Sequence, residues 1–139
     1  QNDTCTAGGA GNVALNIASL GAQASVAGFF GRDDAGKRLS GILTQKGISI
    51  IPTPGTGATI VKTRVLSRRQ QVCRLDRESP QHDYAIDPAE FTALFDKAVR
   101  ACDAVIFADY AKGLLTDELV AKITGMAREH GKLVAVDPK

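Results

Sequence analysis

Apolar side chains recur along this chain at two spacings, and the order in which the spacings alternate predicts its elements. Val13, Ile17 and Leu20 stand at helical spacing with Ala14 and Ala18 beside them, so Asn12–Leu20 reads as a helix opened by Gly8-Gly9-Ala10-Gly11 and closed by Gly21. Ala24–Phe30 reads as a strand, and Asp33-Asp34 can cap a helix running through Leu39, Ile42 and Leu43 to Gly47. Ile48–Ile51 offers another strand. It stops before Pro52-Thr53-Pro54-Gly55-Thr56-Gly57, a turn-rich string that no helix or central strand accommodates.

The texture then changes. Two runs rich in β-branched residues, Thr59–Ser67 and Val72–Asp76, flank Arg68-Arg69-Gln70-Gln71 and predict a β-hairpin over about residues 58–77. An odd loop puts Lys62, Arg64, Arg74 and Asp76 on one face, whereas an even loop separates the first pair from the second. The sequence leaves both registers open.

Beyond the hairpin the helical period returns. Asp87-Pro88-Ala89-Glu90 combines an N-cap carboxylate, proline at the first helical position and glutamate at the third, ahead of Phe91, Leu94, Phe95, Ala98 and Val99 on one face. Ala104–Ala108 is apolar throughout, the pattern of a parallel strand covered on both faces, and ends in Asp109-Tyr110. Thr116 can cap a helix with Leu119, Val120, Ile123 and Ala127 facing inward, closed by Gly131 before Leu133–Val136 repeats the strand pattern and ends in Asp137. Strand, helix, strand in that order predicts a right-handed parallel crossover and an α/β layered fold. In such sheets ligands sit beyond the carboxyl ends of the strands, so Asp109, Asp137 and Lys139 converge on the expected site edge.

Length and composition narrow the function classes. The 139 residues suit one domain, and 44% hydrophobic with 23% charged residues excludes disordered, collagen-like and coiled-coil chains. Seventeen Lys and Arg against fifteen Asp and Glu leave a net charge of +2, too balanced for a general nucleic-acid binder. No apolar run approaches the ~20 residues of a membrane span. Cys5, Cys73 and Cys102 form neither a disulfide framework nor a zinc site; they read as packing thiols in a reducing cytoplasm. The chain has no initiator methionine and stops at Val136-Asp137-Pro138-Lys139, straight after a strand, which reads as a piece of a longer polypeptide.

Three strings can carry chemistry. Gly8-Gly9-Ala10-Gly11-Asn12 brings glycines that let a ligand approach the backbone, a helix start with free N–H groups, and an amide for hydroxyls; the bland alternative is a tight turn that only starts a helix. Gly9-Ala10-Gly11-Asn12-Val13-Ala14 also fits a dinucleotide fingerprint with Asp33 as its acidic residue, although Gln1–Ala7 is too polar for the buried strand that should precede it. Lys62, Arg64, Arg68, Arg69, Arg74 and Arg77 concentrate cations in a near-neutral chain, fit for a phosphate or, more blandly, for a solvated edge hairpin. Asp109-Tyr110-Ala111-Lys112-Gly113 at a strand end suits sugar hydroxyls or anions, or is simply a polar loop.

Taken together, Gly8 through Gly21 resembles the first signature of the ribokinase/PfkB carbohydrate kinases. Lys62–Gln71, Arg74-Leu75-Asp76, Asp109–Gly113 and Asp137-Pro138-Lys139 are similar to the family's heptose-7-phosphate kinase branch, so the resemblance runs from Gly8 to Lys139. It implies a ribokinase-like layered α/β sandwich with a mainly parallel central sheet and a small β lid, incomplete over residues 1–139. It also implies a cytoplasmic enzyme, dimeric through the lid, that passes the γ-phosphoryl group of ATP, with Mg²⁺, to the C1 hydroxyl of a sugar phosphate. By that resemblance Gly8, Gly9 and Asn12 line the sugar site; Lys62, Arg64, Arg74 and Asp76 form lid and substrate contacts; Asp109 and Lys112 sit at the sugar end of the cleft. Asp137 and Lys139 face the phosphates or the substrate. The family's substrate-binding first strand, its Mg²⁺-associated segment and its catalytic base have no counterpart between Gln1 and Lys139. The resemblance therefore implies no catalytic residue and no resident metal ligand here, and an inactive chain when alone. A non-catalytic sugar- or nucleotide-binding module is the competing reading.

Overall fold

The computed structural model describes residues 3–68 and 70–138; Arg69 and Lys139, both singled out above, lie outside the described residues. The chain runs α1 (Gly9–Ser19), β1 (Ser25–Phe29), α2 (Asp34–Thr44), β2 (Ser49–Thr53), β3 (Val61–Ser67), β4 (Gln70–Arg77), α3 (Pro88–Ala101), β5 (Ala104–Ala108), α4 (Asp117–Glu129) and β6 (Leu133–Asp137). β1 pairs with β2 and β5 with β6 in parallel, while β3 and β4 form the antiparallel hairpin. Each parallel pair encloses one helix in sequence, the arrangement that the strand–helix–strand order requires.

Local chemistry sets most boundaries. Thr116 accepts from the Leu119 amide at 3.2 Å and starts α4, whose first turn carries Asp117 and Glu118 against the positive end of the helix dipole. Asp33 does the same for α2 through the Gly36 amide at 2.9 Å. α1 starts at Gly9, three residues earlier than the apolar period suggests, because the Asn12 amide already donates back to the Gly8 carbonyl at 3.4 Å. β2 runs on through Pro52 and Thr53, which read as turn in sequence; among the described residues it pairs on one side only, where a proline costs no ladder bond.

Two cores hold the layers. Ile86, Phe91, Phe95, Val99, Phe107, Leu119, Ile123 and Ala127 pack α3 and α4 on one face of β5–β6, and Ala7, Ala14, Val26, Leu43 and Ile48 join α1 and α2 to β1–β2. Leu43 is fully buried, worth about 1.5–3 kcal/mol in transfer from water. The expectation that β5 and β6 are covered on both faces is not met: Ile106, Leu133 and Val136 are 46%, 75% and 57% exposed, whereas Phe107 is buried against α3 and α4. Cys5 and Cys73 are exposed rather than packed, and Cys102 alone is partly buried, donating to the Val99 carbonyl at 3.3 Å.

Candidate functional site

The glycine turn at the head of α1 is open. Gly8 is the N-cap, with φ −111° and ψ 178°, and having no side chain it leaves the first-turn N–H groups without a side-chain acceptor. A methyl group built on Gly8 meets nothing within 4 Å. Gly9 differs: its φ of +50° lies in the left-handed region, and a Cβ there would sit 3.4 Å from the Tyr110 ring. Asn12 is exposed one turn further on. Tyr110 therefore joins the turn to the β5–α4 loop, a partner that the spacing of the glycines could not name.

That loop is shaped by its own aspartate. Asp109 Oδ1 accepts from the Ala111 amide at 2.7 Å, holding Ala111 at φ +48°, a conformation that costs a non-glycine residue about 1–2 kcal/mol. The Asp109 amide donates to the Asp137 carbonyl at 3.0 Å, so the two aspartates stand side by side at the carboxyl ends of β5 and β6. Lys112 turns away to Glu78, Nζ to Oε2 at 2.5 Å, just past the end of β4.

The hairpin resolves the register left open by the sequence, in a way neither loop length anticipates. Ser67 pairs with Gln70, an even spacing, yet Val65 pairs with Cys73 and Leu66 with Gln71, so Val72 bulges out and shifts the register by one. Lys62 then faces Asp76 and Arg64 faces Arg74, which puts all four on one face. Asp76 ties the group together, 4.0 Å from Lys62 Nζ and 2.9 Å from Arg74 Nε. Arg64 makes no ion pair among the described residues, leaving a cationic face with one guanidinium unspent.

Asp33 is far busier than a helix cap. Its carboxylate accepts from Gly36 N, from Thr59 Oγ1 at 2.6 Å, from Thr59 N at 3.2 Å and from Arg77 Nη2 at 3.0 Å. The Thr59 hydroxyl bond, foremost, holds its pKa below the usual 3.8 against the opposing effect of burial, and the Gly36 and Thr59 amides and the Arg77 charge add lesser contributions in the same direction as the hydroxyl. An aspartate so occupied has no capacity for a ribose, and residues 3–8 form no strand, so the dinucleotide fingerprint fails on both counts. Among the described residues no group of three or more His, Cys, Asp or Glu could hold a metal ion, so they form no all-protein cage for a cation. No helix among the described residues is long and apolar enough to cross a membrane.

The chain is 40% identical to the bifunctional protein HldE of Desulfatibacillum aliphaticivorans over 142 residues, covering 100% of this chain and 29% of that protein. It is 43% identical to the same-named protein of Gluconacetobacter diazotrophicus over 137 residues, covering 95% and 28%. The chain thus spans under a third of the length of these curated relatives. In structure it resembles phosphofructokinase-2 from Escherichia coli in complex with fructose-6-phosphate, with a TM-score of 0.65 at 20% identity over 100% of this chain and 48% of the other. It also resembles a possible 1-phosphofructokinase from Thermotoga maritima, with a TM-score of 0.68 at 19% identity over 93% and 41%. These likenesses match the ribokinase-like fold expected from the sequence. The pattern of the pfkB family carbohydrate kinases matches residues 1–139, and the chain belongs to that family.

Proposed function

We propose that this chain forms the sugar side of a kinase that transfers the γ-phosphoryl group of ATP, with Mg²⁺, to the C1 hydroxyl of a heptose 7-phosphate. The observation that carries the reading is the meeting of an uncapped helix start, Gly8-Gly9, with the Asp109–Lys112 loop through Tyr110, a loop tied by Lys112 to Glu78 at the foot of a hairpin on which Lys62, Arg64 and Arg74 share one face. Gly8, Gly9 and Asn12 offer backbone N–H groups and an amide to sugar hydroxyls, and Asp109 and Asp137 offer acceptors at the strand ends. Lys62, Arg64 and Arg74 supply the charge that a sugar phosphate requires, Asp76 spacing them; Lys112 exchanges Glu78 for substrate or stays as a strut. Mg²⁺ bound with ATP would supply charge neutralisation at the transferred phosphoryl group, while this chain's residues position the sugar. The enzyme works in the cytoplasm. The exposed apolar face of the hairpin, including Val65 and Leu75, suits a lid that also pairs with a second copy of the chain.

The reading is tested by phosphate dependence. In the full-length protein Lys62→Ala or Arg64→Ala should weaken heptose 7-phosphate about tenfold to a hundredfold while barely changing the unphosphorylated heptose, since a charge-assisted hydrogen bond is worth ~1.5–3 kcal/mol. Competition binding resolves that range. Equal weakening of both sugars would mean that the phosphate is held elsewhere.

A further inference from the structure

Six cations cluster in the sequence of the hairpin, but they do not do one job. Along a strand successive residues face opposite sides, and Val61 pairs with Arg77 where Lys62 pairs with Asp76. Arg77 therefore points away from the Lys62 face. Its guanidinium is bound to Asp33, which also takes both the hydroxyl and the amide of Thr59. One carboxylate on the β1–α2 turn thus holds both roots of the hairpin, Thr59 before β3 and Arg77 at the end of β4. The Tyr84 hydroxyl clamps the same roots to each other, accepting from Ser79 N at 2.6 Å and donating to the Ala58 carbonyl at 2.9 Å.

The remaining described contacts also lie at the base: the Ala58 amide donates to Ser79 Oγ at 2.9 Å, the Gly31 amide donates to Thr59 Oγ1 at 3.0 Å, and Lys112 pairs with Glu78. Beyond half-buried Val61, every described residue of β3 and β4 is exposed, so the angle at which the hairpin stands over the sugar site is set at its roots. The fit at the roots is close: a Cβ on Gly31 would come within 2.6 Å of Thr59 Oγ1 and 2.7 Å of its amide, so Gly31 lets Thr59 reach Asp33. We infer that Asp33 and Arg77 are positioning residues of the sugar kinase, a clasp that fixes the lid over the substrate without touching it. The inference rests on the proposed sugar-binding role of the hairpin for its kinetic consequence, but not for the clasp itself.

The test uses Arg77→Gln in the full-length protein, since Asp33 also caps α2 and its loss would disturb that helix. Two readouts are taken together: steady-state kinetics with phosphorylated and unphosphorylated heptose, and hydrogen exchange of the hairpin amides. The clasp predicts a KM raised about tenfold for both sugars alike, a kcat nearly unchanged, partial rescue by Arg77→Lys, and faster exchange in β3 and β4 with α2 unaffected. Selective weakening of the phosphorylated sugar would overturn the inference by making Arg77 a phosphate ligand. Unchanged hairpin exchange, or faster exchange throughout the protein, would overturn it as well. Hydrogen exchange does not depend on the identity of the sugar. If heptose 7-phosphate is not turned over at all, the proposed function fails while the exchange result still decides the clasp.

Discussion

Two glycine-entered turns open two helices of eleven residues each, and they differ in what fills them. At the head of α2, Gly31 and Gly36 are pressed against Thr59 and each other, and Asp33 satisfies the helix N-terminus while taking Arg77. At the head of α1, Gly8 faces open space and no side chain caps the helix. The first turn is full of its own protein. The second has a free helix end, a glycine with room beside it and the Asp109–Lys112 loop as its neighbour. At the first turn glycine serves close packing of the chain on itself; at the second it leaves room, which the proposed function assigns to a sugar.

Substitutions that add atoms to each turn sharpen this contrast. The largest effect is expected at Gly36, where a Cβ would drive into the Gly31 carbonyl, backbone against backbone with no flexible side chain to give way. Gly36→Ala should destabilise the fold by about 3 kcal/mol or more, read as a lowered midpoint in denaturant unfolding; a loss under about 1 kcal/mol would mean that the turn is looser than described.

A smaller effect is expected from charge. Asp33 is depressed below its ordinary 3.8 in the folded protein, so it binds a proton more readily when unfolded, and its contribution is complete above that value and lost as pH falls through the folded pKa. Asp33→Asn keeps a cap on α2 but gives up the charged contacts to Thr59 and Arg77, a cost of about 0.5–1 kcal/mol near neutral pH. The gap between the two proteins should close below pH 3.8. Thermal melts across the acid range check this, and a gap that persists at the lowest pH would assign it to shape rather than charge.

What could be read from the sequence divides along the same line. The caps of α2 and α4 were legible because Asp33 and Thr116 reach amides three residues away, within one turn. The other half of Asp33 was not, since Thr59 and Arg77 lie 26 and 44 residues further along the chain. Cationic residues in the hairpin could be counted, but their faces turn on a one-residue bulge at Val72 with no glycine to announce it. The apolar run of β5 likewise suggested cover on both sides, although cover depends on which elements pack there and not on the strand itself. Gly8 and Gly9 were marked as a pair; only the backbone angle of Gly9 and the Tyr110 ring separate them. A substitution at Gly9 would mix backbone strain with any effect on a ligand, whereas Gly8 isolates the ligand.

Gly8→Val is for that reason the measurement that tests the account most directly. The extended backbone of Gly8 accepts a valine, and the position has room, so stability should change by no more than about 1 kcal/mol, the cost of a poorer N-cap. Heptose 7-phosphate, titrated calorimetrically into the full-length protein, should lose its binding because the added methyl groups occupy the space where the sugar meets the backbone. A folded Gly8→Val protein that binds the sugar as tightly as the parent would contradict the account, and the open turn at α1 would then be no more than the start of a helix.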